Sequence, residues 1–145
     1  CYYASPTVSG NTISGNQNHG VSCSNSLPVI DGNTISGNMA SGIRCATSSP
    51  TVSGNTISGN ASSGVYVGYE SSPHITGNDI TGNGTGIGIY TDMYDSSSPL
   101  IEDNLIKGTN GPALDINGAW GGTFRRNDIS SFSSCGAASL YRWGI

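Results

Sequence analysis

The sequence predicts an all-β solenoid: a parallel β-helix of about six coils, with three short strands in each. Three observations carry this. An eight-residue phrase, SGNTISGN, occurs as Ser9–Asn16 and Ser53–Asn60, and again as Asp31–Asn38 with Asp replacing the first Ser. The Asn that opens each NTI-like tripeptide falls at Asn11, Asn33, Asn55, Asn78, Asn104 and Asn127, at spacings of 22, 22, 23, 26 and 23 residues. A proline keeps the same beat at Pro6, Pro28, Pro50, Pro73 and Pro99. Periods of 20 to 50 residues mark solenoids and propellers. Within each period single apolar residues stand between small polar ones, the period-two alternation of short strands with one buried face.

The first strand of each coil supplies the inward column Val8, Ile30, Val52, Ile75, Ile101, Phe124. The second supplies Ile13, Ile35, Ile57, Ile80, Ile106, Ile129, isoleucine throughout. The third follows a glycine and supplies two columns. One is Val21, Ile43, Val65, Ile87, Leu114, Ala137, and the other is Cys23, Cys45, Val67, Ile89, Ile116, Ser139. The coils begin near residues 6, 28, 50, 73, 99 and 122, and residues 1–145 form a single domain. At the bend between the first two strands Asn11 to Asn127 meet the need for a residue tolerant of left-handed φ. Stacked about 4.8 Å apart, their amides are placed to form an Asn ladder. Asn16, Asn38, Asn60 and Asn83 form a second ladder at the next bend.

Composition agrees by exclusion. Ser, Thr, Asn and Gly make up about half of the 145 residues, and only 10% are charged. Disordered chains of low hydrophobicity are normally rich in charge. Helix formers are scarce, while β-branched residues and Gly-Asn turn formers abound. With five Lys and Arg and a net charge of −4, no basic surface exists for a phosphate backbone, so nucleic acid is not an expected partner. No apolar run approaches the roughly 20 residues of a membrane span.

Cys1, Cys23 and Cys45 share one inward column, where cysteine packs as a small hydrophobe. Adjacent pairs are within disulfide reach by Cα distance, without the torsions being assured, and Cys135 aligns elsewhere, with Ser63. Cysteine and histidine spacings typical of zinc are absent. Phe124, Phe132, Trp120 and Trp143 read as a plug at the C-terminal end. Cys1 lies in register with Cys23, partway through an earlier coil, so the chain reads as a fragment of a longer protein.

The coil unit, as in Asn55-Thr-Ile-Ser-Gly-Asn followed by Gly64-Val-Tyr-Val, resembles the right-handed parallel β-helix repeat of NosD-like and pectate-lyase-like proteins. The resemblance spans residues 6 to about 139. It implies the right-handed sense and a secreted, periplasmic or cell-surface protein. Polysaccharide lyases, hydrolases, epimerases, carbohydrate-binding surface proteins and adhesins all use this fold, so fold alone does not choose a function. In the enzymes, catalytic residues project outward from the first strand of successive coils. Here that column is Ser9, Asp31, Ser53, Thr76, Glu102, Arg125. Asp31 and Glu102 lie three coils apart, about 14 Å by the strand spacing, beyond the roughly 5 to 9.5 Å of paired-carboxylate glycosidases. Glu102 and Arg125 are expected to form an exposed ion pair, and His74 to stand without a carboxylate to orient it. Nor do these columns hold the acidic calcium cluster and basic residue of the lyases. The segment reads as non-catalytic; the alternative is a fragment of a polysaccharide lyase or hydrolase whose site lies on other coils.

For binding, the candidate is the insertion in coil 4, Tyr90–Ser98, beside Tyr69 and Glu70 of coil 3 and an outward Tyr66. Tyr66, Tyr69, Glu70, Tyr90, Asp92, Tyr94 and Asp95 suit a polysaccharide, rings against sugar faces and carboxylates against hydroxyls. The alternative is an ordinary solvated loop. No cofactor is expected beyond a weak calcium ion on Glu70, Asp92 and Asp95. A different function is suggested by the outer face of the second strand. Thr12/Ser14, Thr34/Ser36 and Thr56/Ser58 make a hydroxyl grid like that of ice-binding solenoids. It continues to Thr81 but is broken by Asp79, Leu105 and Lys107. A third possibility is structural: an uncapped N-terminal coil offers parallel strand edges for head-to-tail self-association into a fibre.

Overall fold

The computed structural model describes residues 1–91, 97–117, 121–130 and 138–141, the last four by backbone alone. Its strands come in threes. Coil 1 holds β1 (Thr7–Ser9), β2 (Thr12–Ser14) and β3 (Val21–Ser24), and coil 2 holds β4 (Val29–Asp31), β5 (Thr34–Ser36) and β6 (Ile43–Ala46). Coil 3 holds β7 (Thr51–Ser53), β8 (Thr56–Ser58) and β9 (Ser63–Gly68). In coil 4 come β10 (His74–Thr76), β11 (Asp79–Thr81) and β12 (Thr85–Tyr90), and in coil 5 β13 (Leu100–Glu102), β14 (Leu105–Lys107) and β15 (Leu114–Asn117). Coil 6 holds β16 (Thr123–Arg125), β17 (Asp128–Ser130) and β18 (Ala138–Tyr141). Every third strand pairs in parallel, giving three six-stranded sheets, one for each side of the coil.

The two short strands of each coil turn one side chain inward and two outward. A three-residue strand therefore suffices, and the sequence reads polar–apolar–polar. Ile35, Ile57, Ile80 and Ile106 are fully buried in one stack, and Ile30, Val52, Ile75 and Ile101 in another. The third strand turns two side chains in, so Ile43 and Cys45 pair with Val65 and Val67, and these with Ile87 and Ile89. Burying each such side chain contributes about 1.5–3 kcal/mol, and each coil rests on its two neighbours, so stability is distributed along the axis. Cys1, Cys23 and Cys45 are free thiols. Burial pushes the Cys23 thiol up to about 11 and the Cys45 thiol well up as well, which keeps them protonated packing groups. Cys135, Trp120, Phe132 and Trp143 lie outside the described residues, and Phe124 is half-buried against the core.

Both predicted Asn ladders are present. Asn33 donates from its backbone N and its Nδ2 to Asn55 Oδ1 at 2.9 and 3.0 Å. Asn55 repeats the pattern onto Asn78, Asn78 onto Asn104, and Asn104 onto Asn127. The second ladder runs Asn16, Asn38, Asn60, Asn83, and Thr109 fills the next position, buried. A third ladder, of serine, closes the remaining bend. Ser26, Ser48, Ser71 and Ser97 are buried; Ser48 N donates to Ser71 Oγ and Ser71 N to Ser97 Oγ.

Two expectations are corrected. The left-handed residue at the first bend is the one before the asparagine: Gly10, Gly32, Gly54 and Gly77, then Asp103 and Arg126. Glycine meets no steric penalty there, which frees the asparagine to turn its amide inward. In the last coil Ala138 and Leu140, in place of Ala137 and Ser139, pair with Leu114 and Ile116. The register of β18 is therefore one residue further along the chain than the alignment expects.

Candidate functional site

The outer face of the third sheet carries a file with one member from each of four coils. Arg44 on β6 pairs in register with Tyr66 on β9, Tyr66 with Gly88 on β12, and Gly88 with Asp115 on β15. In the next file Gly68 pairs with Tyr90. Each tyrosine therefore stands beside a glycine on its own strand and another across it, and the rings lean into that space. Tyr66 Cε1, Oη and Cζ lie 2.8, 3.0 and 3.2 Å from where a Cβ on Gly68 would sit, and Tyr90 Cε2 is 2.5 Å from the same point on Gly88. The rings stack at 5.2 Å between centroids and 17° between planes. Arg44 flanks Tyr66, its Cζ 5.9 Å from the ring centroid, and Tyr90 donates its hydroxyl to Asp115 Oδ2 at 2.7 Å. Burial first, then the Asp115 hydrogen bond, pushes the Tyr90 hydroxyl well above the usual range. Burial also raises that of Tyr66, against the pull of Arg44.

Of the predicted binding residues, the structure thus brings Tyr66 and Tyr90 together and spends their ring faces on one another and on Arg44. Tyr69 and Glu70 follow β9 directly and are exposed, Tyr69 at 58%. Both have left-handed φ, 50° and 48°; Tyr69 shares that conformation with Thr47, 22 residues earlier, and Glu70 is the extra residue of a 23-residue coil. Asp92, Tyr94 and Asp95 lie outside the described residues, and with them two of the three ligands of the expected calcium site. Arg44 and Asp115 were missed. Their signal was the register itself, which places them in the Tyr66 column.

A second cluster lies on the first sheet and its bend, in coils 4 to 6, where His74 and Glu102 depart from expectation. Glu102 is buried (8% exposed), and His74 does have a carboxylate partner: His74 Nε2 lies 2.9 Å from Glu102 Oε1. Arg125 Nε donates to Glu102 Oε2 at 2.7 Å and an Arg126 terminal N–H at 2.8 Å. Arg126 also grips both oxygens of Asp103. The register pairs His74 with Leu100 and Thr76 with Glu102, so the His74–Glu102 contact is a diagonal one, invisible to column-by-column alignment. An ionised carboxylate only accepts hydrogen bonds, and both oxygens of Glu102 are occupied. It is poorly placed to move a proton, and the cluster ties three coils together.

Hydrogen bonds from Arg125 and then His74 hold the Glu102 carboxyl below its ordinary value, against burial. Arg126 does the same for Asp103. A carboxyl depressed in the folded state stabilises the fold at pH above its unfolded value, here 4.5 for Glu102, and that contribution disappears as pH falls through the folded value. Lowering the pH from 7 to 3 is therefore expected to lower the urea midpoint of the wild type more than that of a Glu102→Gln variant. Equal acid losses in the two would show that the cluster does not hold the coils.

On the second sheet, Thr12, Thr34 and Thr56 align in one outward column and Ser14, Ser36, Ser58 and Thr81 in the other. The hydroxyl grid spans three coils and stops at Asp79, whose Oδ1 is buried without a hydrogen-bond partner among the described residues. No helix long and apolar enough to cross a membrane is present among the described residues. A family model described as the right-handed beta helix region matches residues 1–142. No curated protein and no solved structure gives a match.

Proposed function

The chain belongs to the right-handed β-helix family, and from its outward side chains we propose that it is a non-catalytic module that binds glycan chains at a cell surface or outside the cell. The observation that carries this reading is Tyr69. The residue is 58% exposed, on a left-handed backbone, three positions after Tyr66 of the Tyr66–Tyr90 stack and next to the exposed Glu70. An accessible ring with hydrogen-bonding groups around it suits a sugar, which offers an apolar C–H face and a rim of hydroxyls. The buried Glu102, with both oxygens engaged by His74, Arg125 and Arg126, supports recognition over catalysis.

Affinity electrophoresis through gels containing soluble polysaccharides tests the reading. The wild type is expected to be retarded by at least one polysaccharide. Tyr69→Ala, which removes an exposed ring and leaves the core untouched, is expected to weaken that retardation about tenfold, the loss of roughly 1.4 kcal/mol typical of an aromatic contact at a binding surface. A wild type that migrates freely through every gel ends the proposal.

A further inference from the structure

At the bend where each coil leaves the third sheet, four residues share one backbone conformation. Tyr3, Asn25, Thr47 and Tyr69 have φ of 48°, 49°, 49° and 50°, they stand 22 residues apart, and all four are exposed. They form a file along the axis, one per coil. Left-handed φ suits glycine and asparagine and is unfavourable for bulky and β-branched side chains. The chain uses glycine at the equivalent position of the first bend in its first four coils. At this bend it uses tyrosine twice, and burial does not offset the strain: the rings are 71% and 58% exposed. Strain retained at exposed positions points to function.

Resting on the glycan reading above, we propose that this file is a track on which a single extended glycan lies parallel to the β-helix axis. Tyr3, with Tyr2 edge-to-face against it at 4.4 Å, takes a sugar face at one end, and Tyr69 takes one at the other. Asn25 and Thr47 meet the hydroxyls between them. Coils rise about 4.8 Å each, so the two tyrosines stand about 14 Å apart. One coil therefore matches roughly one sugar residue of an extended β-1,4-linked chain, and the track matches about four. Rings separated by small polar residues suit such an alternating polymer better than a continuous apolar partner. The net charge of −4 and the nearby Glu70 favour a neutral glycan over a uronate.

The test is a calorimetric series with cello-, manno- and xylo-oligosaccharides from disaccharide to hexasaccharide. Affinity for one series is expected to climb to the tetrasaccharide and then level. Tyr3→Ala and Tyr69→Ala are each expected to weaken tetrasaccharide binding about tenfold. If Tyr69→Ala weakens binding and Tyr3→Ala does not, the track falls while the glycan reading stands; absence of binding to any glycan removes both. A second readout excludes a packing role. Tyr69→Asn, which relaxes the left-handed strain, is expected to raise the melting temperature by about 2–4 °C while weakening binding. A fall in melting temperature would show that the ring serves stability, and would overturn the proposal.

Discussion

Replacing Asn55 by alanine is expected to destabilise the protein by about 3–4 kcal/mol, a large share of the roughly 5–15 kcal/mol that holds a domain together. Asn55 lies mid-ladder, buried. Its Oδ1 accepts from Asn33 N and Nδ2, while its Nδ2 serves Ile30 O, Ser53 O and Asn78 Oδ1, each at 2.9 Å. Alanine leaves the buried Asn33 N–H without its acceptor and takes a donor from two backbone carbonyls. An unsatisfied buried group costs about 1–3 kcal/mol, and the amide's volume becomes a void. Asn11 provides the control. It is exposed, and among the described residues it acts as a donor, to Asn33 Oδ1 and Ser9 O, so Asn11→Ala is expected to cost about 1 kcal/mol. Urea denaturation followed by circular dichroism measures both. Equal, small effects at the two positions would mean that these asparagines serve only as turn formers.

The period of the chain made the architecture legible, because a solenoid repeats its neighbour contacts at fixed sequence separation and every inward column can be read by alignment. What alignment did not reveal was what happens between columns. The Glu102–His74 contact is diagonal, so the pair seemed unrelated. The Tyr66–Tyr90 stack depends on Gly68 and Gly88 leaving room on opposite strands, a property of two files at once. The sign of φ at the first bend was assigned to the conspicuous asparagine when the adjacent glycine carries it. The serine ladder did have a signal, since Ser26, Ser48, Ser71 and Ser97 each stand two residues before a proline of the beat. Stacked hydroxyls at such spacing are too common in a serine-rich chain to be singled out. The candidate site was half legible. Tyr69 and Glu70 are exposed as expected, whereas the faces of Tyr66 and Tyr90 are turned toward neighbouring coils.

Gly64→Ala reverses the usual sign of a glycine-to-alanine change. Gly64 lies within β9 at a φ that any residue adopts, and there alanine ordinarily stabilises by about 0.4–1 kcal/mol through the unfolded chain. Here the added Cβ would sit 2.5 Å from Ile80 Cγ2, 2.8 Å from Gly86 O and 3.0 Å from Asn83 Nδ2. These three atoms belong to three systems that cannot yield independently: the isoleucine stack, the backbone of the next coil and the second Asn ladder. Gly20 and Gly42 meet the same trio from their own next coils, so a glycine where the chain enters the third strand is what lets successive coils approach closely enough for the Asn amides to bond. Overpacking of this kind costs about 1–3 kcal/mol, which outweighs the entropic gain, and a net loss of about 2 kcal/mol is expected. The urea midpoint should fall accordingly. A Gly64→Ala protein as stable as the wild type would mean that the coils stand further apart than the ladder geometry requires.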